Sequence, residues 1–400
     1  MGKYLSNIYI ILLLVGTHLI GVIGSITGAS VQILLWLTYG GMVLMSFILI
    51  LESLNKGWKK FNIGIPFLIF LLMYLSRMYI DLYINDVYTS TFPSPHTYFI
   101  YMLGICFFLS LGISFAKNLD FQFISRWFFI FIFVVIALSI VYNSVLNLDT
   151  SSTQRNAGAE NIGALTYGHL GVSFFLISLH YFLLSSRLLN KLFFASTMCL
   201  GLLVMYLAAS RSPLLALVIC TIIYLLIYRG AIRGLFVLLL IISPIYFFWG
   251  EIIDLLSSFH GSFLLRVMKA VEDGDSSGRD LIYDQGIKQF LDYPIFGGSF
   301  ILESGSFKGF YPHNLILEVF MATGIVGGIL FLSWISKVAK YSYYIILSKN
   351  RYAWIPTLFL QYFIFSMSSK SLYTNSSLWY FSFLVIYLYH DSKKIKQQNN

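Results

Sequence analysis

Three side chains in this sequence are of types that hold phosphate or move protons, and each stands where a helix begins: Arg211, Arg279 and His313. Arg211 follows Ser210 and precedes Ser212-Pro213, and proline favours the first turn of a helix. A guanidinium beside free backbone N–H groups is suited to an anion. The plain alternative is an arginine that reaches out to a membrane interface. Arg279 follows Ser277-Gly278, and Ser277 stands three residues before Asp280 as in a capping box. Its competing reading is a solvated loop arginine paired with Asp275 or Asp280. His313 comes directly after Tyr311-Pro312, within the first turn of an apolar run. The positive end of that helix disfavours an imidazolium and leaves a neutral ring that accepts a proton; the alternative is a capped interfacial histidine. Asn314 and Glu318 are four apart and share a face, so Glu318 could orient a partner or substrate. An acid this far into a membrane helix is costly without a partner.

Other residues carry less. Arg266 and Lys269 fall on the polar side of an amphipathic pattern built from Ile252, Leu255, Leu256, Phe259, Phe263, Val267 and Ala270, where lipid headgroups are the expected contacts. Arg155 precedes the sixth apolar run and His169 lies in its outer half. Asp273-Gly274-Asp275, extended to Ser277-Gly278 and Asp284, brushes the calcium-loop pattern but ends on Asp where Glu belongs, so no metal is expected. Arg77 and Asp81 form an i,i+4 pair read as structural, and His18 and His180 read as hydrogen-bonded core. Gly324, Gly327 and Gly328 read as allowing close helix packing.

The elements that must position these residues are membrane helices. Hydrophobic residues make up 58% of the 400 and charged ones 11%, against roughly a quarter charged in soluble domains, and the mean hydropathy is +0.79. Apolar runs fall at 8–27, 31–53, 63–80, 97–116, 127–146, 162–184, 192–209, 213–228, 235–249, 313–335, 352–369 and 374–390. The first resembles a signal peptide, with Lys3 ahead of it, but is kept as a span because the charge pattern requires it. With both termini in the cytoplasm every inner segment is basic, and only Glu52, Asp120 and Asp391 among the acids fall inside. The net charge of +9 is thus a matter of topology and does not indicate nucleic acid. Arg211, Arg279 and His313 then share the outer side. The expected layout is 1–249 as nine spans, 250–312 as one large, partly helical outer loop, 313–390 as three spans, and 391–400 as a basic tail. Cys106, Cys199 and Cys220 all lie in apolar runs, so no disulfide framework is available to the loops.

Three motifs in order resemble a known family. His313-Asn314 followed after nine residues by Gly324-Ile-Val-Gly327-Gly328 is similar to the hallmark of the O-antigen ligase and O-antigen polymerase superfamily. Arg211-Ser-Pro-Leu-Leu215 resembles its Arg-x-x-x-Leu element, with a proline at 213 that tightens the turn. Ser277-Gly278-Arg279 leading to Asp292-Tyr-Pro294-Ile-Phe-Gly297 resembles the run in its periplasmic loop. The resemblance spans about residues 205–335. It implies an all-α polytopic, GT-C-like glycosyltransferase of about twelve spans in a bacterial inner membrane. Such an enzyme needs no cofactor or metal and uses undecaprenyl-diphosphate-linked oligosaccharide. Arg211 and Arg279 would hold the diphosphate and His313 would act as general base; Asn314 belongs to the motif without an assigned role.

A repeat-unit polymerase for O-antigen or capsule is the first expectation, favoured by Tyr311-Pro312-His313-Asn314 with Leu317-Glu318. A ligase transferring the same donor to lipid A–core is the alternative. A flippase would carry charge near the bilayer midplane, where this chain has almost none, and a scaffold subunit would not depend on the three side chains. A chain-length regulator and a flippase of the same pathway are the expected partners, beside membrane lipid.

Overall fold

The computed structural model describes residues 2–55, 64–87, 94–146, 158–159, 162–247, 250–251 and 278–398. Helices account for nearly all of them, and the described residues hold no strand beyond an isolated bridge between Ala159 and Ile162. Each of the twelve apolar runs coincides with a helix, because a lipid-exposed backbone must satisfy its own hydrogen bonds. Nine of these have the length and apolarity to cross a membrane: α1 (Lys3–Thr27), α2 (Val31–Leu54), α3 (Ile65–Ile84), α4 (Pro95–Phe115), α5 (Phe121–Leu146), α6 (Ala164–Leu184), α7 (Leu188–Leu207), α8 (Arg211–Arg229) and α11 (Leu315–Leu347). The others are α9 (Ala231–Phe247), α12 (Trp354–Ser366) and α13 (Ser376–Gln398), which are shorter or end in charge. Between them comes α10 (Arg279–Asp292), the short helix expected after Gly278. The protein is an all-α, multi-pass membrane protein. The proposed interfacial helix over 252–270, with Arg266 and Lys269, lies outside the described residues, as do Arg155 and Asp273 to Ser277.

The chain forms two compact units, each from three separate segments. The first takes Met1–Met42, Lys117–Asp275 and Tyr343–Gln361. Its centre is α6, buried along most of its length. Helix α7 approaches α6 so closely that a Cβ on Gly171 would lie 2.6 Å from the Gly201 carbonyl oxygen, the small-residue contact used where lipid removes the hydrophobic drive for helix association. His180 bridges the Tyr224 hydroxyl (2.6 Å) and the Arg351 carbonyl (2.8 Å), a satisfied core histidine.

The second unit takes Val43–Ala116, Ser276–Ser342 and Tyr362–Asn400. Its core is aromatic. Phe67 sits 4.5 Å from Trp334 and 5.6 Å from Trp379, and Phe70 4.9 Å from Phe331, so α3, α11 and α13 meet through rings. Buried aromatic pairs add about 0.5–1.5 kcal/mol each beyond their area.

Helix α11 is broken at Gly324, whose backbone (φ 64°, ψ −164°) is open only to glycine. The break admits the 293–298 turn. Ile325 N–H donates to the Pro294 carbonyl (2.8 Å), Val326 N–H to Ile295 (3.3 Å), and Gly298 N–H to the Met321 carbonyl (3.0 Å). A Cβ on Gly324 would collide with the Ile295 carbonyl. The sequence reading of this glycine as a helix-packing contact therefore needs correction, since it joins loop to helix. Gly324→Ala should cost about 1–3 kcal/mol for the backbone alone and more for the collision. Gly40→Ala, which meets nothing within 4 Å, should be neutral. Thermal unfolding of both variants in detergent checks this.

Candidate active site

The loop that follows α10 is fixed from both ends. Arg77 on α3 donates to the Gly297 carbonyl (2.9 Å) and lies 3.5 Å from Asp81, whose other oxygen accepts the Phe300 N–H (3.0 Å). The pair expected to be structural therefore clamps this loop. Gln289 adds bonds to the Ile301 carbonyl (3.0 Å) and the Glu303 N–H (3.1 Å). Leu302 N–H donates to the Phe310 carbonyl (2.9 Å) and Gly309 N–H to Leu302 (2.8 Å), which closes the loop and delivers residues 311–314 to the mouth of α11.

Asn314 is the cap of that helix. Its Oδ1 accepts the N–H groups of Ile316 and Leu317, both at 3.1 Å, and its carbonyl accepts the first helical bond from Glu318. The motif asparagine thus gains a physical role that its sequence position did not disclose. His313 stands one residue before the cap, not in the first turn, and its backbone is left-handed (φ 54°). Such a backbone is costly for a residue with a Cβ, and it turns the chain sharply between Pro312 and the helix.

The half-buried His313 ring lies 4.3 Å from that of Tyr311. Both engage Ser369, in the turn between α12 and α13. The Tyr311 hydroxyl donates to the Ser369 carbonyl (2.9 Å), and the imidazole hydrogen-bonds the same residue's backbone. Arg279 joins them, its Nη2 donating to Ser369 Oγ at 3.3 Å. Arginine, imidazole and phenol thus converge on one serine. Burial pushes the His313 pKa below the ordinary imidazole value, the Arg279 charge lowers it further, and the Ser369 backbone opposes them. The ring is neutral as expected, but burial and a cation are the causes found, in place of the helix end. Burial also raises the Tyr311 phenol to about 12, so it stays a donor.

Glu318 has its partners inside the protein. The side chain is fully buried; the Tyr74 hydroxyl donates to Oε1 at 2.6 Å, and the Leu372 N–H lies 3.1 and 3.0 Å from its two oxygens. It supports the 369–372 turn. The next residue in that turn, Lys370, escaped the sequence reading. Its Nζ is 5.8 Å from the Phe365 ring centre, burial lowers its pKa, and no carboxylate lies within 4.0 Å of it among the described residues. Its signal in the sequence was small: the only cation between the last two apolar runs.

Arg211 and His169 belong to the first unit. Arg211 opens α8, two residues before the apolar run that begins at Pro213, with Ser210 ahead of it and no side-chain cap. His169 is buried on α6, its Nε2 3.3 Å from Ser212 Oγ beside Arg211, and its carbonyl accepts from Gln361 (2.8 Å) and Ser173 (3.0 Å). It belongs to the packing of α6 against α8, where a Cβ on Gly168 would lie 2.7 Å from Pro213.

Residues 194–332 match the family model described as O-antigen ligase. That match supports the O-antigen ligase and polymerase superfamily for this chain, and it takes in Arg211, Arg279, His313, Asn314 and Glu318 while leaving out Ser369 and Lys370. No curated protein matches the chain.

Glu318→Ala should leave the Tyr74 hydroxyl and Leu372 amide buried and unpaired, costing about 2–5 kcal/mol. Glu318→Gln keeps an acceptor and should cost less. Equal melting temperatures for the two variants in detergent would contradict this role.

Proposed function

We propose that the protein is a repeat-unit polymerase. It transfers a glycan from undecaprenyl diphosphate to the free end of the next lipid-linked unit, at the outer face of a bacterial inner membrane. The observation that carries the proposal is the convergence on Ser369 of Arg279 and a neutral His313, two residues that lie within the segment similar to O-antigen ligase. The acceptor hydroxyl oxygen attacks the anomeric carbon of the donor and gives its proton to the His313 imidazole. The bond between that carbon and the phosphate oxygen breaks, and the diphosphate departs with its charge. Arg279 neutralises the departing diphosphate. For Arg211 the same role rests on its motif and its place at a helix start. Lys370, next to Ser369 in the same turn of the second unit, adds a second cation to Arg279. None of these steps calls on a metal.

A second reading is the ligase, with the same donor and lipid A–core as acceptor. It is favoured by the description of the matching family, and the geometry of His313 serves either acceptor. A deletion strain separates them: loss of a polymerase leaves surface glycan capped with single repeats, whereas loss of a ligase accumulates lipid-linked polymer. If alanine at Arg279 and at His313 both leave glycan assembly intact, neither reading stands.

The pH dependence follows from the ring. A general base works when neutral, so transfer should fall as pH drops through a value below the free imidazole's, about 6.5. Arg279→Gln removes one of the two causes of that depression, so the acid limb of its residual activity should move to higher pH. The rate of the purified enzyme against pH, for both forms, tests this.

A further inference from the structure

The first unit holds a cavity of about 450 Å³ whose polar lining includes Gln122, Ser125, Arg126, Arg351 and Tyr352. Its apolar walls come from Phe129, Ile130, Phe193 and Phe194. The Phe129 and Phe193 rings lie 5.8 and 5.3 Å from that of Phe194, and Tyr181 stacks on Phe194 at 5.5 Å, so the walls are rigid aromatic surface.

Neither guanidinium has a carboxylate within 4.0 Å among the described residues. Asp120, at the start of α5, is engaged by Lys3 (3.5 Å) and by the Phe123 N–H (3.0 Å). Two exposed arginines on one cavity repel each other unless an anion lies between them. On the same helix as Phe193, Leu188, Leu189 and Leu192 are exposed and apolar, the surface a helix turns to acyl chains. Interfacial arginines commonly extend singly to headgroups. Here two share an apolar slot, which asks for a ligand with a charged head and a hydrocarbon tail.

We propose that this cavity seats one anionic phospholipid, its phosphodiester between Arg126 and Arg351 and an acyl chain along Phe129, Ile130, Phe193 and Phe194. Gln122 and Tyr352 supply neutral donors at the head. A zwitterionic lipid offers the same phosphate but brings a fixed cation toward the two arginines. Inorganic phosphate has no tail for the slot.

The test uses the full-length protein purified in detergent, with phosphatidylglycerol, phosphatidylcholine or sodium phosphate added. Bound lipid is read by native mass spectrometry and stability by melting temperature. Phosphatidylglycerol should be retained and raise the melting temperature, while phosphatidylcholine and phosphate should do neither. Arg126→Gln/Arg351→Gln should weaken phosphatidylglycerol binding roughly ten-fold or more, with its melting temperature without lipid unchanged. Arg126→Lys/Arg351→Lys should keep most of the binding. Equal retention of the two lipids, undiminished phosphatidylglycerol binding by the glutamine variant, or full protection by phosphate alone would overturn the assignment.

Discussion

The site depends on one buried carboxyl group. Glu318 lies inside a membrane helix with no exposed surface, and it is tolerable there because the Tyr74 hydroxyl and the Leu372 N–H both bind it. Each partner ties a different part of the second unit to α11. Tyr74 brings α3, which also clamps the 297–300 loop through Arg77 and Asp81. Leu372 brings the turn that presents Ser369. A carboxyl group left without these partners in a low-dielectric interior would be strongly destabilising, so the turn and the helix are held in one arrangement.

From that arrangement the chemistry follows by short steps. Ser369 Oγ donates to its neighbour's carbonyl and accepts from Arg279, while the Ser369 carbonyl accepts from Tyr311. His313 is held beside them by a left-handed backbone and by the cap that Asn314 forms on α11. The result is an imidazole kept neutral next to a cation. That combination suits a reaction in which a hydroxyl loses a proton while negative charge builds on a leaving phosphate. The cluster and the aromatic core of the same unit serve different ends: the rings fix α3, α11 and α13, and the polar residues occupy the mouth that those helices form.

Much of this was legible before any coordinates. Among the described helices, apolar run length marked all but α10, which the turn signals around Gly278 marked instead. What escaped notice was carried by partners distant in sequence. Nothing local in Ser369 distinguishes it from an ordinary loop residue, and the bonds that give it meaning come from the Arg279 and Tyr311 side chains. Glu318 was read as orienting a partner or a substrate, and the partner, Tyr74, could not be named from the sequence because it lies 244 residues away. Gly324 looked like a packing glycine because its sequence neighbours are helical, whereas its backbone breaks the helix to receive the 293–298 turn. Asn314 followed an ordinary capping rule, but the helix start had been placed two residues too early for the rule to be applied.

The central claim is that Arg279 and His313 act as one catalytic unit on a phosphate-linked donor. Single-turnover glycan transfer from a polyprenyl-diphosphate donor, measured for Arg279→Gln, His313→Gln and the double variant, tests it most directly. Residues that work as a unit are not additive, so each single variant should be severely slowed and the double variant should be little worse than the weaker single. A His313→Gln enzyme that turns over at the unmodified rate would contradict the account.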